Sequence, residues 1–287
     1  MRIRILPLVF CLSIACSSPE PAHEVATTDQ LRDALIFHAA FDAAMDATFA
    51  RGDARIFSAA DYDQQAQAVP GYSGEDIEIA IGQGVSGDAL RFKKKNVAAL
   101  FFRGDKNTEF SPSGWSGTIS FWLSLDPNVE LEAGFCDPIQ ITDSAYNDNA
   151  IWVDFTRDDP RKFRLGVFGE LDEWNPEKLG SDENPGFNDR LVVVDQPPFA
   201  TGEWTHIAIA HEALGSADGR ATLYLNGVRQ GMSDGIAEPF QWDMSNAAIR
   251  LGVNYVGLYD ELAIFDRALT DAEIGRLHEL KGGLGAL

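Results

Sequence analysis

The sequence has no apolar run long enough to cross a bilayer as a helix. Its one candidate, residues 5–15, falls short of the roughly 20 residues a span requires. Basic side chains are scarce as well. Lys and Arg number 23 against 44 Asp and Glu, a formal charge of −21. That excludes the basic footprint which nucleic-acid phosphates demand. It favours solubility and divalent cations without identifying a partner. The five histidines are His23, His38, His206, His211 and His278, and none forms the H-x₃-H pair of a zinc site. No G-x-S-x-G elbow, phosphate loop or dinucleotide fingerprint is present. Aromatics, by contrast, are plentiful. With 45% hydrophobic residues, 18 Phe and 6 Trp, a packed core is assured and wholesale disorder excluded.

Cysteine is rarer still, and its placement is informative. Arg2 and Arg4 form a basic start, residues 5–15 an apolar stretch, and Ser13-Ile14-Ala15-Cys16 sets a small residue before a cysteine. The segment resembles a bacterial lipoprotein signal, with Cys16 as the lipidated first residue of the mature chain. Ser13 stands where a branched aliphatic is usual, so an ordinary secretory signal cut a few residues later is the alternative. Losing Arg2 and Arg4 takes the formal charge from −21 to −23. Cys11 and Cys16 then belong to the leader and its junction, which leaves Cys136 alone in the body. An exported domain with one cysteine has no internal disulfide and must stand on its core. Cys136, beside Phe135, is expected to be a buried small hydrophobe.

Most of the remaining chain alternates with a period of two. Residues 202–231 read as a meander: a strand at 204–210, a polar turn at 215–220, a strand at 221–225, and a third at 228–230. Asn226-Gly227 supplies the two positive-φ positions of a tight type I′ hairpin. Further strands are expected at 35–41, 55–58, 97–102, 138–142, 150–156, 162–168, 247–252 and 257–265. The clearest is 117–125, with Ile119, Phe121 and Leu123 on one face and Ser120, Trp122 and Ser124 on the other. A helical turn is expected near residues 30–35. Thr270 with Glu273 makes a capping box for a closing helix, stopped by Gly282-Gly283. The fold class is therefore all-β: a two-sheet antiparallel sandwich over residues 35–265, followed by a short C-terminal helix.

Three segments narrow this further. They are W-x-H-I-A at 204–208 with L-Y-L-N-G-V at 223–228, T-I-S-F-W at 118–122, and the closing stretch 257–274, GLYDELAIFDRALTDAEI. Together they resemble the LamG-like jelly-roll modules of the concanavalin A-like lectin/glucanase superfamily, over residues 35–280. The resemblance implies a jelly roll in one domain at 35–287, in which residues 84–92 are a glycine-rich turn leading into a strand that ends in an aromatic; the leader pattern puts a signal peptide at 1–15 and a tether at 16–34. His206 fits the module's own pattern and is expected to be a structural histidine. The resemblance also implies one structural Ca²⁺ tying the start of the sandwich to its end through Asp42 and Asp260. Backbone carbonyls and water would complete the six to eight oxygens calcium prefers. The alternative is that Asp260 merely accepts backbone hydrogen bonds.

Because the superfamily includes glucanases, catalysis was sought. Glu170-Leu171-Asp172-Glu173-Trp174 approaches the E-x-D-x-E pattern that puts carboxylates on one strand face. The third carboxylate falls out of phase, where Trp174 and Asn175 stand, and the motif fails. Trp152 beside Asp154 on a strand's polar face is a candidate sugar-stacking platform. Trp174, in the long acidic loop 169–190, is a second candidate. Two Arg-Gly-Asp triplets, at 51–53 and 103–105, read as chance recurrences, and Lys93-Lys94-Lys95 as a solvated loop. The favoured reading is a non-catalytic binding module for glycans or glycoconjugates, lipid-anchored to the bacterial cell envelope. The alternatives are a polysaccharide-degrading glycosidase or lyase, or a relic of one, and a structural or adhesive protein that contacts other surface proteins.

Overall fold

In the computed structural model, residues 28–95, 98–112, 114–280 and 282–286 are described. The leader, Cys16 and the first part of the tether lie outside the described residues, as does Val97. The Asn226-Gly227 hairpin forms as its sequence demands, with φ of 51° and 75°. It pairs Leu225 with Val228. From that turn the first sheet extends through nine strands. Its order is Val228–Asp234, Arg220–Leu225, Thr205–Leu214, Trp115–Ser124, Gly257–Phe265, Leu35–Ala39 and Phe49–Ala50. Ala89–Phe92 also pairs with Gly257–Phe265 and carries Ile77–Ala80 beside it.

The second sheet has eight strands, in the order Leu191–Val194, Phe163–Phe168, Ala150–Phe155, Cys136–Thr142, Ala248–Val253, Ala99–Arg103, Ile56–Ala59 and Val69–Pro70. Both sheets are antiparallel, and together they make the jelly-roll sandwich. Four strands escaped the sequence reading: Phe49–Ala50, Val69–Pro70, Ile77–Ala80 and Leu191–Val194. Two are of two residues, too short for any period to register.

The core lies between the sheets. Ile119, Phe121 and Leu123 face it from one side, Ile139, Ile141, Ile151, Val153 and Phe155 from the other. Phe37 meets Phe102 across the gap, with ring centroids 4.8 Å apart. Cys136 is buried in this layer, and burial pushes its thiol pKa up. No disulfide is needed: a core of this size removes far more apolar surface from water than one crosslink would offset.

The two outer faces differ. On the nine-stranded sheet, small residues Ala208, Ala210 and Ala263 admit a roof of helices. One is Asp271–Glu279, N-capped by Thr270 with the full capping box. The other is Thr28–Ala34, where only a turn from residue 30 was expected. Leu31, Ile274 and Leu277 seal the contact. Trp122 is thus not a surface residue: it is 5% exposed and stacks on His206 and His278. The other outer face, on the eight-stranded sheet, carries the site described next.

The Arg-Gly-Asp triplets are structural. Asn107 accepts from the Gly52 amide and donates to the Asp53 carbonyl, and Arg51 pairs with Asp266. The lysine cluster is also absorbed locally. Lys93 pairs with Glu78, Lys94 with Asp76, and Lys95 donates to the Ala133 carbonyl.

Candidate functional site

One register line across the eight-stranded sheet sets the floor of the site. Phe57, Phe101, Arg250, Gln140, Trp152 and Gly166 stand side by side on its outer face. One step along, Asp154 pairs with Arg164. Arg164 Nε and Nη2 donate to the two oxygens of Asp154 at 2.8 and 2.5 Å. The same guanidinium lies over the rings of Phe135 and Trp152, at 5.1 and 5.8 Å. Asp137 accepts from Gln140 Nε2 at 2.8 Å, and Gln140 in turn accepts from Arg250 Nη1 at 3.0 Å. Arg250 Nε donates to Gln65, and its guanidinium covers Tyr62. Burial pushes the carboxyls of Asp137 and Asp154 upward. The Asp154 charge pushes Asp137 further, while Arg164 opposes the shift at Asp154.

Two segments wall this floor. The turn after Cys136–Thr142 is built on Thr142, whose hydroxyl donates to the carbonyls of Ala145 and Asp148. It lifts Tyr146 above the sheet, and the Tyr146 carbonyl takes the Trp152 indole proton. The loop 169–190 folds over from the other side. Asn175 and Asn184, both buried, hold it in shape: Asn184 Nδ2 donates to Asn175 Oδ1, and Asn175 Nδ2 to the Leu179 carbonyl. Its short helix Pro185–Asn188 lays Phe187 against Phe168, centroids 5.0 Å apart. Ser181 and Tyr146 close the rim through hydroxyls 2.8 Å apart.

Between floor and walls lies a cavity of about 340 Å³. Asp137, Gln140, Trp152, Asp154 and Arg164 line its floor, and Phe135, Tyr146, Ser181, Phe187, Asn188, Val253 and Asn254 its sides. It is at the small end of the ligand-pocket range of roughly 300–1,000 Å³. Phe135 and Tyr146 are the rings it leaves accessible, 39% and 43% exposed.

The expected site residues fare differently. Trp152 and Asp154 face the cavity, side by side as the alternation required. Trp152 is nonetheless only 2% exposed, its ring packed beside both Phe168 and Phe187. It is a floor tile, not an open platform. Trp174 lies apart from the cavity. It sits in the helical turn Leu171–Trp174, 9% exposed, packed on Phe168 with Arg190 over its ring. The stretch 170–174, where the glucanase pattern falls out of phase, forms the helical turn Leu171–Trp174, and Glu170 accepts from Asn149. Sequence reasoning missed Phe135, Tyr146, Asp137, Gln140 and Arg164. One signal was available: Tyr146 stands alone among Asp, Ser and Asn in a turn, where an aromatic has no core to enter.

Asp42 and Asp260 grip the same turn, from residue 84 to 88. Asp42 accepts from the Asp88 amide at 2.8 Å. Asp260 Oδ2 accepts from the amides of Val85 and Ser86, and Oδ1 from that of Glu261. These bonds tie the first strand to the last. Asp260 is fully buried, and its carboxyl is pushed up to about 8 by burial and by neighbouring Glu261. The space a Cβ on Gly84 would fill is lined by Asp260 Oδ2 and the carbonyls of Ser86 and Asp88. Among the described residues, no group of three or more His, Cys, Asp or Glu is placed to hold a metal ion.

A model of the concanavalin A-like lectin/glucanases superfamily matches residues 104–275, more than half of the chain. The chain belongs to this superfamily. Curated protein sequences give no match. Among solved structures, domain 4 of the extracellular arabinanase AbnA from Geobacillus stearothermophilus, in complex with arabinotriose, is similar. The two are 18% identical with a TM-score of 0.53, over 84% of this chain and 97% of that one. The ligand-binding domain of botulinum neurotoxin serotype D, in complex with N-acetylneuraminic acid, matches at 10% identity and a TM-score of 0.56. That match covers 88% of this chain and 52% of the other, so the chain spans about half of the toxin domain. Trypanosoma rangeli sialidase matches at 10% identity and a TM-score of 0.52, over 90% of this chain and 34% of that one. At such identities the likeness is one of fold.

Proposed function

We propose that this superfamily member is a non-catalytic binding module that recognises glycans or glycoconjugates in the cavity on its eight-stranded sheet. The observation that carries the reading is the pairing of exposed rings with polar groups that line the same cavity. Phe135 and Tyr146 offer apolar faces for sugar C–H surfaces, and Asp137, Gln140, Ser181, Asn188 and Asn254 offer hydrogen bonds beside them. The arabinanase domain and the toxin domain, solved with arabinotriose and N-acetylneuraminic acid, support the class of ligand by analogy of fold.

Binding is favoured over hydrolysis by the state of the two cavity acids. A glycosidase needs one carboxylate free to attack or to activate water, and another to give a proton. Both oxygens of Asp154 are held by Arg164, which leaves no lone carboxylate facing Asp137. A glycan array probed with the full chain and with Tyr146→Ala tests the reading. Binding that the variant loses is expected. Array silence, or turnover of a bound polysaccharide, contradicts it.

Two accompanying proposals rest on the resemblance. Cys16 carries the lipid that holds the module on the envelope. A calcium ion at the turn that Asp42 and Asp260 grip would be held by Asp260 Oδ2 and the carbonyls of Ser86 and Asp88, hard oxygens that suit it in kind, with Asp42 beside them and water completing the shell. When bound, calcium would supply positive charge beside the buried Asp260 carboxyl.

A further inference from the structure

Resting on the glycan reading, we propose that the cavity selects neutral sugars and refuses acidic ones such as sialic or uronic acids. The argument is a charge inventory of its lining. Among the described residues that line it Arg164 is the one cation, and Asp154 occupies its Nε/Nη2 edge with two hydrogen bonds. Its flat faces are engaged too, lying over Phe135 and Trp152. An incoming carboxylate therefore finds the Nε/Nη2 edge of this guanidinium already taken and its charge already paired. Bidentate Arg–carboxylate pairing is the strong mode by which proteins hold acidic sugars, and here it is used internally.

The next cation behind the floor is Arg250, 7% exposed. Gln65 and Gln140 take its Nε and Nη1, and Tyr62 takes its face. Gln140 separates it from the cavity, so its charge reaches a ligand only as the polarised amide. Arg157 lies over the Phe135 ring at 5.6 Å, outside the lining.

Against this stand two acids on the floor. Asp137 and Asp154 face the same space, and an anionic ligand would be desolvated beside them. The upward push on Asp137 by burial and by Asp154 makes the same point from inside: one further negative charge in this cavity is disfavoured. In its protonated form Asp137 donates a hydrogen bond, which suits a sugar hydroxyl or ring oxygen. The remaining polar groups, from Gln140, Ser181, Asn188 and Asn254, are neutral and both donate and accept. Hydroxyls do the same. The net charge of −21 adds long-range repulsion toward anions.

The test is an array of paired glycans, each neutral structure beside its sialylated or uronate counterpart, probed with the full chain and with Tyr146→Ala. Signal on the neutral members alone is expected, weakened about tenfold or more by Tyr146→Ala. Affinity for the best neutral glycan should also hold constant between about 0.05 and 0.5 M salt, as no charge pair is made. Signal on acidic members that Tyr146→Ala removes overturns the selectivity and leaves the glycan reading standing. Signal indifferent to Tyr146→Ala places recognition elsewhere and overturns the proposal. Silence across the array sinks the glycan reading and the proposal with it.

Discussion

Trp152 lies flat against Gly166 on the neighbouring strand: a Cβ built on Gly166 would stand 2.2 Å from the Trp152 ring. A real Cβ cannot come so close, so the glycine is what lets the indole lie down and form the cavity floor. Gly166→Ala should tilt the ring into the cavity. Overpacking of this kind costs about 1–3 kcal/mol. The expected result is a lowered melting temperature together with lost ligand affinity and a shifted Trp fluorescence. Unchanged stability and affinity would show that the floor tolerates another arrangement.

The sequence carried the sandwich and hid the cavity, for one physical reason. Strand alternation and Asn226-Gly227 are local, so the meander, the strand Trp115–Ser124 and the capped helix could all be read directly. Alternation also put Trp152 and Asp154 on the outer face correctly. It could not tell that the loop 169–190 folds back over that face, because Asn175 and Asn184 shape the loop through side-chain bonds that follow no period, and Phe187 docks on Phe168 and Trp152 of two strands. Trp174 followed the loop inward. The exposed rings, Phe135 and Tyr146, come from a strand's edge and a turn, where no period reports direction.

Stability should depend on pH in a way four buried groups dictate. Burial pushes His206 and His211 down to about 3, with His278 adding to the shift at His206. Asp260 is pushed up to about 8. Between about pH 4 and 6.5 the unfolded histidines bind two protons the native ones refuse, while native Asp260 keeps one its unfolded form releases. These three alone would make stability rise with pH there, by about 1.4 kcal/mol per unit, but native Asp137, raised like Asp260, keeps a second proton and cancels the rise. Above 6.5 only the acids remain, and their stabilisation is lost as pH climbs through the folded pKa, at up to about 2.7 kcal/mol per unit. Urea titrations should find a plateau between about pH 4 and 6.5 with a fall above it, and Asp260→Asn should weaken that fall. Stability still rising to pH 8 would contradict this.

Calcium bears on the same residue. If it takes Asp260, added calcium should stabilise the fold by about 2.7 kcal/mol at a hundredfold excess over its dissociation constant. The gain should be largest above pH 7, where the carboxyl gives up its proton most readily, and absent in Asp260→Asn. Thermal melts with calcium and with chelator check this. Identical curves would leave the amides of Val85, Ser86 and Glu261 as Asp260's whole role.

The anchor is tested in a bacterial host. Cys16→Ala should move the protein from the membrane fraction to the soluble one, since a single helix-length apolar span is absent from the sequence. Unchanged partitioning of the variant would refute lipidation at Cys16.

The central claim, that ligands enter over the Trp152 floor, is tested most directly by the indole N–H signals of the six tryptophans. A ¹H–¹⁵N spectrum of the full chain, titrated with the neutral glycan that binds best, should move the Trp152 signal, assigned through Trp152→Phe. The Trp115 signal, its indole bonded to the Thr108 carbonyl within the core, should stay still. Saturable binding that leaves Trp152 unmoved while another indole shifts would contradict the account.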